Sequence, residues 1–284
     1  MARRRSERML VTRVTGVGEA RQMKRSPDEL IVEEPMSIQL DGTLIATTMR
    51  TPGNDFELAA GFCHTEGLLG GASIIGVRYC VDGSAVDSEF NIVTVETGGR
   101  APKPTPRLGN VSSSCGWCGS EQIDDLCARL APIPSSEAFD LDVIAAMPDR
   151  VLGEQGLFAR TGSVHAAAAF TRSGDVLLMR EDVGRHNAVD KVIGSMLLDP
   201  AQTLPADSDE QFGLFVSGRA SIEMVQKAWA GGFSAVVAVS APTALAVDAA
   251  RRANLLLAGF VRGTTFNIYA PERLSAPLIR ADPR

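Results

Sequence analysis

The stretch FGLFVSGRASIEMVQKAWA, residues 212–230, joins an unbroken apolar run to a segment of helical period across a short polar turn. Phe212 to Val216 is too short for a buried helix and suits a strand covered on both faces. Ser217-Gly218-Arg219-Ala220-Ser221 breaks the run, after which Ile222, Val225 and Trp229 fall at helical spacing and place Trp229 in the core. The same order recurs on either side. Strand-like runs cover residues 166–171, 176–180, 235–240 and 255–261, and helical patterns cover 141–158, 186–198, 221–230 and 243–253. From about residue 140 onward this alternation predicts an α/β core of three layers, with helices on both faces of one sheet.

The first half reads differently. Residues 29–49 alternate apolar and polar around Asp41-Gly42, which suits a type I′ turn and predicts a β-hairpin. Thr51-Pro52-Gly53-Asn54 punctuates, Phe56, Leu58, Ala59, Phe62 and Leu68 predict a helix over 55–69, and a second hairpin is expected from 73–81 and 91–97. A Gly-, Pro-, Arg- and Ser-rich connector covers 98–114. Glu121, Asp124, Asp125 and Arg129 suit the two ends of a short helix stopped by Pro132 and Pro134, with Cys127 packed inside it. The chain therefore divides into a basic tail, 1–27, expected to be disordered and solvated; a smaller β-rich subdomain, 28–114; a cysteine loop and short helix, 115–139; and the α/β core, 140–284.

At 284 residues and 45% hydrophobic the chain suits a packed globular protein. No segment approaches the roughly 18–20 apolar residues of a membrane span, and the N-terminus lacks the apolar region of a signal peptide, so a cytoplasmic protein is expected. The net charge of -6 leaves the part beyond the basic arm acidic, which argues against a nucleic-acid surface there. In a reducing compartment the five cysteines point to catalysis, metal binding or burial, not to a disulfide framework; Cys63 and Cys80, in a predicted helix and strand, are expected to be buried.

The chemistry concentrates in Ser113-Ser114-Cys115-Gly116-Trp117-Cys118-Gly119. Glycine and serine around both thiols favour reactivity over packing, and Trp117 is placed to cover the thiols, meet a partner or pack on the domain. A Cys-x-x-Cys pair serves a redox disulfide, half a zinc site or a persulfide. Cys63, His64, Cys80 and Cys127 supply no second close cysteine pair for zinc, and the pair follows a polar connector where a thioredoxin-like site wants a strand. The residues alone leave all three uses open.

Three junctions between strand and helix share a design: Glu181-Asp182-Val183-Gly184-Arg185-His186-Asn187, Ser217-Gly218-Arg219-Ala220-Ser221 and Ser240-Ala241-Pro242-Thr243. If the strands run parallel, three helix N-termini open at one sheet edge and favour a phosphate, with Arg185 and Arg219 adding charge. The plain alternative is capping by Ser217, Ser240 and Thr243. His165 follows a glycine turn and reads equally well as a hydrogen-bonded core imidazole. The signature of a zinc deaminase would need glutamate where Ala167 stands, and its cysteines after the histidine, so hydrolytic deamination is excluded.

These motifs, with Thr161-Gly162-Ser163-Val164-His165-Ala166-Ala167, Ala188-Val189-Asp190-Lys191 and Phe260-Val261-Arg262-Gly263, occur in an order that resembles the FdhD family of sulfur carriers for formate dehydrogenase. The resemblance covers nearly everything after residue 28. It implies a cytidine-deaminase-like core without zinc catalysis and no permanently bound metal. It further implies that a cysteine desulfurase loads sulfane sulfur as a persulfide on Cys115, assisted by Cys118, for transfer to the molybdenum of bis-molybdopterin guanine dinucleotide, bound as cargo for the formate dehydrogenase catalytic subunit. Cofactor contacts implied are Phe260, Val261, Arg262, Gly263, Thr264 and Thr265, with Ser217, Gly218, Arg219, Arg185 and His186 as candidates from the turns. The two-partner task is compatible with a homodimer.

Overall fold

The computed structural model describes residues 3–79, 90–103, 124, 126–134, 138–199 and 211–274. Cys115, Cys118, Trp117, Cys80 and the connector from residue 104 onward lie outside the described residues. The elements are β1 (Ser6–Thr15), β2 (Gln22–Ile31), β3 (Glu34–Leu40), β4 (Thr43–Arg50), α1 (Asp55–Thr65), β5 (Gly76–Tyr79) and β6 (Ile92–Glu96). After them come α2 (Leu141–Leu152), α3 (Gly156–Thr161), β7 (His165–Thr171), β8 (Val176–Asp182), α4 (Arg185–Leu198), β9 (Phe212–Val216), α5 (Ile222–Ala230), β10 (Ala235–Ala238), α6 (Ala244–Arg252), β11 (Leu256–Arg262) and β12 (Thr265–Ala270).

The core is a six-stranded mixed sheet in the order β12-β11-β10-β9-β7-β8. Strands β9, β10 and β11 run parallel, joined by crossovers through α5 and α6, whereas β7 runs antiparallel to both its neighbours. Alternation along each strand sorts side chains between two cores. Ala167, Ala169, Leu214, Val216, Val236 and Ala238 face the layer of α4, α5 and α6, and Ala166, Ala168, Phe170, Phe215, Ala235 and Val237 face α2. Helices thus cover both faces, three against one. Trp229 is buried in the first core and donates its indole N–H to the Ala131 carbonyl at 2.8 Å.

The smaller β-rich unit is a four-stranded sheet, β4-β3-β6-β5, backed by α1. Asp41 (φ 48°) and Gly42 (φ 83°) both adopt the left-handed conformation that a type I′ hairpin turn requires. Met36, Ile38, Leu40, Val93 and Val95 bury one face of the sheet against Leu58, Ala59 and Cys63 of α1.

The two units meet where α1 crosses α4. A Cβ on Gly61 would stand 1.9 Å from the Asp190 carbonyl oxygen, and one on Gly194 1.8 Å from that of Glu57, so the backbones touch with no side chain between them. Around this crossing the charged groups are paired. Lys191 Nζ lies 2.6 Å from Asp182, Lys227 Nζ lies 2.9 Å from Asp190, and Arg50 donates two 3.0 Å hydrogen bonds to Asp55.

Several expectations are corrected. The basic segment is not a disordered tail: β1 and β2 form a regular antiparallel ribbon whose base is anchored by the hydrogen bond from Val32 N–H to the Arg5 carbonyl and by the Arg160–Glu29 ion pair at 3.0 Å. Most of its side chains are nonetheless solvated. The helix expected over 55–69 ends at Thr65, and that over 141–158 divides into α2 and α3, separated at Gly153. Strand β12 was not anticipated, because its apolar residues alternate with exposed polar ones at the sheet edge. Cys127 is exposed, not packed in its helix, whereas Cys63 is buried as expected.

Candidate functional site

Because β7 is reversed between β8 and β9, the ends of β8, β9 and β10 all point to one edge of the sheet. The three polar turns, the first residue of β7 and the β11–β12 turn therefore gather along that edge. Backbone hydrogen bonds knit them together: Ser217 N–H to the Ala166 carbonyl (3.0 Å), Thr243 N–H to the Ala220 carbonyl (3.1 Å) and Phe260 N–H to the Ser240 carbonyl (3.2 Å). The condition set from sequence is met: β8, β9 and β10, which feed the three turns, run in one direction although β7 lies reversed between the first two.

Capping distinguishes the turns. Thr243 caps α6 conventionally, accepting from Ala246 N–H at 3.2 Å. The other two helices have no side-chain cap: α4 starts after Gly184, and Ser221, although at the N-cap of α5, leaves its buried Oγ without a partner among the described residues. Ser217 does not cap a helix either, since its Oγ accepts from Ala166 N–H at 2.9 Å. Arg185 Nε is likewise buried and unpartnered among the described residues, while Arg219 and Arg262 are exposed. Two uncapped helix starts with orphan buried donors and arginines alongside make an edge suited to a polyanion.

The β11–β12 turn adds an aromatic. Phe260 is 45% exposed and holds φ at 55°, a conformation bulky residues rarely adopt, beside a bulge between Gly259 and Arg262. Gly263 turns the chain with φ 54°, and Arg262, Thr264 and Thr265 are exposed. Val261 differs from the rest of its segment: its side chain is fully buried in the core on the α2 face, which leaves only its backbone at the edge.

Other motif residues prove architectural. Asp182 accepts from Gly184 N–H (2.8 Å), Asn187 Nδ2 (3.0 Å) and Thr51 N–H (3.1 Å) as well as from Lys191, whose Nζ also donates to the Thr51 carbonyl at 2.9 Å. Thr51 Oγ1 completes the junction by accepting from Val183 N–H at 3.0 Å. The Glu181 carboxylate accepts the first N–H groups of α3, those of Leu157 and Phe158, at 2.9 and 2.8 Å. Asp182, read from sequence as part of a ligand turn, fastens that turn to Thr51 of the smaller unit, and Glu181 of the same turn holds the start of α3 within the core.

His186 stands apart from them, with its Nε2 buried and without a partner among the described residues. Burial, then Lys227 and Arg185, press its imidazole down to about 4, opposed by Glu223 and Glu66, so the charges acting on it come largely from the helix layer. His165 is held below the usual imidazole range by burial and then by Arg185, with Asp182 opposing. The Cys63 thiol is pushed up to about 12, first by burial, which removes it as a nucleophile. Cys115 and Cys118 lie outside the described residues. No group of His, Cys, Asp and Glu arranged to hold a metal occurs among the described residues.

A model of the FdhD/NarQ family matches residues 31–275. The chain belongs to the FdhD/NarQ family. It is 44% identical over 255 residues to the sulfur carrier protein FdhD of Streptomyces avermitilis, covering 87% of this chain and 88% of that one. It is 41% identical over 278 residues to the protein of the same name from Nocardia farcinica, covering 95% of each. The crystal structure of a protein from Desulfotalea psychrophila, described as a formate dehydrogenase accessory protein, shares the fold with a TM-score of 0.71 at 24% identity, covering 94% of this chain and 99% of that one. In this FdhD/NarQ chain the matched region contains the sheet edge, the smaller sheet and the Cys-x-x-Cys segment, whereas most of the β1–β2 ribbon precedes it.

Proposed function

We propose that this protein is a sulfur carrier for formate dehydrogenase maturation: it accepts sulfane sulfur from a cysteine desulfurase on Cys115 and delivers it to the molybdenum of bis-molybdopterin guanine dinucleotide held at the sheet edge. The observation that carries this reading is the family match across residues 31–275 joined to an edge with two uncapped helix starts, arginines and an exposed, strained aromatic. The edge fits the cargo chemically. Pyrophosphate suits the helix starts with Arg185, Arg219 and Arg262, and a flat heteroaromatic ring suits the face of Phe260.

In the loading step Cys115 thiolate attacks the outer sulfur of the desulfurase persulfide; the new S–S bond forms on Cys115 and the desulfurase cysteine leaves as thiolate. Delivery as sulfide needs two electrons, and the cysteine pair supplies them. Cys118 thiolate attacks Cys115 sulfur, the Cys115–Cys118 disulfide forms, and the terminal sulfur departs as sulfide to the metal. A cellular dithiol reductant then reopens the disulfide. Carriage of this kind places the protein among the sulfurtransferases.

Two variants test the two halves of the reading separately. Cys115→Ala should lose cyanide-labile sulfur after desulfurase treatment and keep guanine-nucleotide affinity; a full load of labile sulfur on that variant contradicts the assignment. Arg185→Ala combined with Arg219→Ala should weaken GDP binding at least about tenfold while sulfur loading persists. Unchanged affinity removes the edge from the account.

A further inference from the structure

His165 opens β7, and because that strand is reversed its ring stands at the same edge as the three turns. The ring is half-buried, with Nδ1 3.5 Å from Ser217 Oγ. Ser217 Oγ accepts from Ala166 N–H and keeps a proton and a second lone pair, so it can serve either the neutral ring or a ring protonated at Nδ1. Beside the ring is Gly218. A Cβ built there would lie 3.4 Å from His165 Nδ1, 3.5 Å from Cε1 and 3.7 Å from Arg185 Cδ. The space left by the missing methyl is thus bordered by both the imidazole and the arginine, and the Nε of that arginine has no partner among the described residues.

We propose that His165 is a phosphate-binding residue of the edge: with Arg185 it walls a slot floored by Gly218 that takes one phosphoryl group of the guanine dinucleotide, and its ring gains a proton as that group enters. The inference rests on the reading that the edge binds the nucleotide, and deepens it by naming the residue and its protonation.

The charges facing the ring are few. Arg185 stands at the start of α4, and Asp182 is the register partner of His165 on β8, already occupied by Lys191. Burial and Arg185 hold the ring neutral near pH 7 in the free protein. An arriving phosphoryl anion reverses that balance, and linkage then requires proton uptake on binding.

Calorimetry of GDP binding to the full chain at pH 7, in buffers of contrasting ionisation heat, reads this directly. The wild type should bind with net uptake of a fraction of a proton. His165→Gln should bind about tenfold more weakly with that uptake gone, as expected for the loss of one charge-assisted hydrogen bond. Gly218→Ala adds only a methyl at ordinary contact distance, so the fold should persist while binding weakens similarly, and it serves if His165→Gln is misfolded. A His165→Gln protein with wild-type affinity and unchanged proton uptake overturns the inference and leaves the nucleotide edge standing. A Gly218→Ala protein of wild-type affinity overturns the slot in the same way. A wild type that binds no GDP overturns both the edge and the inference.

Discussion

Phe260 concentrates the tension between stability and binding in one side chain. A phenylalanine with φ at 55° costs on the order of 1 kcal/mol or more, and with 45% of its surface exposed it recovers little of that by burial. If the ring is held there to stack on the cofactor, Phe260→Gly should raise the unfolding free energy by about 1 kcal/mol and weaken GDP binding at once, a split that thermal melts and calorimetry resolve. A variant that is less stable and binds equally well would mark the ring as ordinary packing. Asp182 and Lys191 show the converse. Asp182 was read as part of a ligand turn and Lys191 belongs to the same motif series, yet both are fully buried and tie Thr51 to the start of α4. A charged residue in a motif announces that something needs it; only the fold says whether that is a ligand or a neighbouring segment.

Among the elements, the crossing of α1 and α4 decides how the two sheets are held. Gly61→Ala or Gly194→Ala must push the backbones apart, since either Cβ would enter within 2 Å of a carbonyl oxygen. Overpacking of this kind costs about 1–3 kcal/mol or more, so either variant should lower the chemical-denaturation midpoint markedly, and the charge pairs beside the crossing should loosen with it. A midpoint equal to the wild type would show that the helices are not in such close contact. The strands and helices of the core were legible because their period is set by burial on both faces: β9 matches its predicted span residue for residue, and α4, α5 and α6 lie within a residue or so of theirs. The ribbon was not legible. Its two strands carry charges and exposed apolar residues on both faces, and their pairing comes from the backbone, which leaves no periodic trace in sequence. The close helix crossing was hidden for a related reason: a glycine inside a helical pattern states what is missing, not what comes near.

In the molecule as a whole, acid sensitivity should follow His186. Its folded imidazole lies near 4 while the unfolded one lies near 6.5, so its contribution is fully present above pH 6.5 and is lost as pH falls from 6.5 towards 4. Asp190, raised to about 6 by burial, acts in the opposite sense over much of that window. Comparing the wild type with His186→Gln cancels the aspartate. The stability difference between them should shift against the wild type by on the order of 2 kcal/mol between pH 7 and pH 4.5, measured by urea unfolding at each pH. A difference that stays constant across that range would refute the assignment. The edge and its turns, Gly218 among them, could be read as a candidate site because strand, turn and helix fix where a turn must lie; that the His165 ring stands at the same edge emerged only from the reversal of β7.

The decisive measurement is the intact mass of the full chain after incubation with cysteine and a cysteine desulfurase, with the modified position located by peptide mapping. The account predicts a gain of one sulfur atom, confined to the peptide that contains Cys115 and Cys118 and removed by cyanide. An unchanged mass, or sulfur found on Cys127 instead, would contradict it.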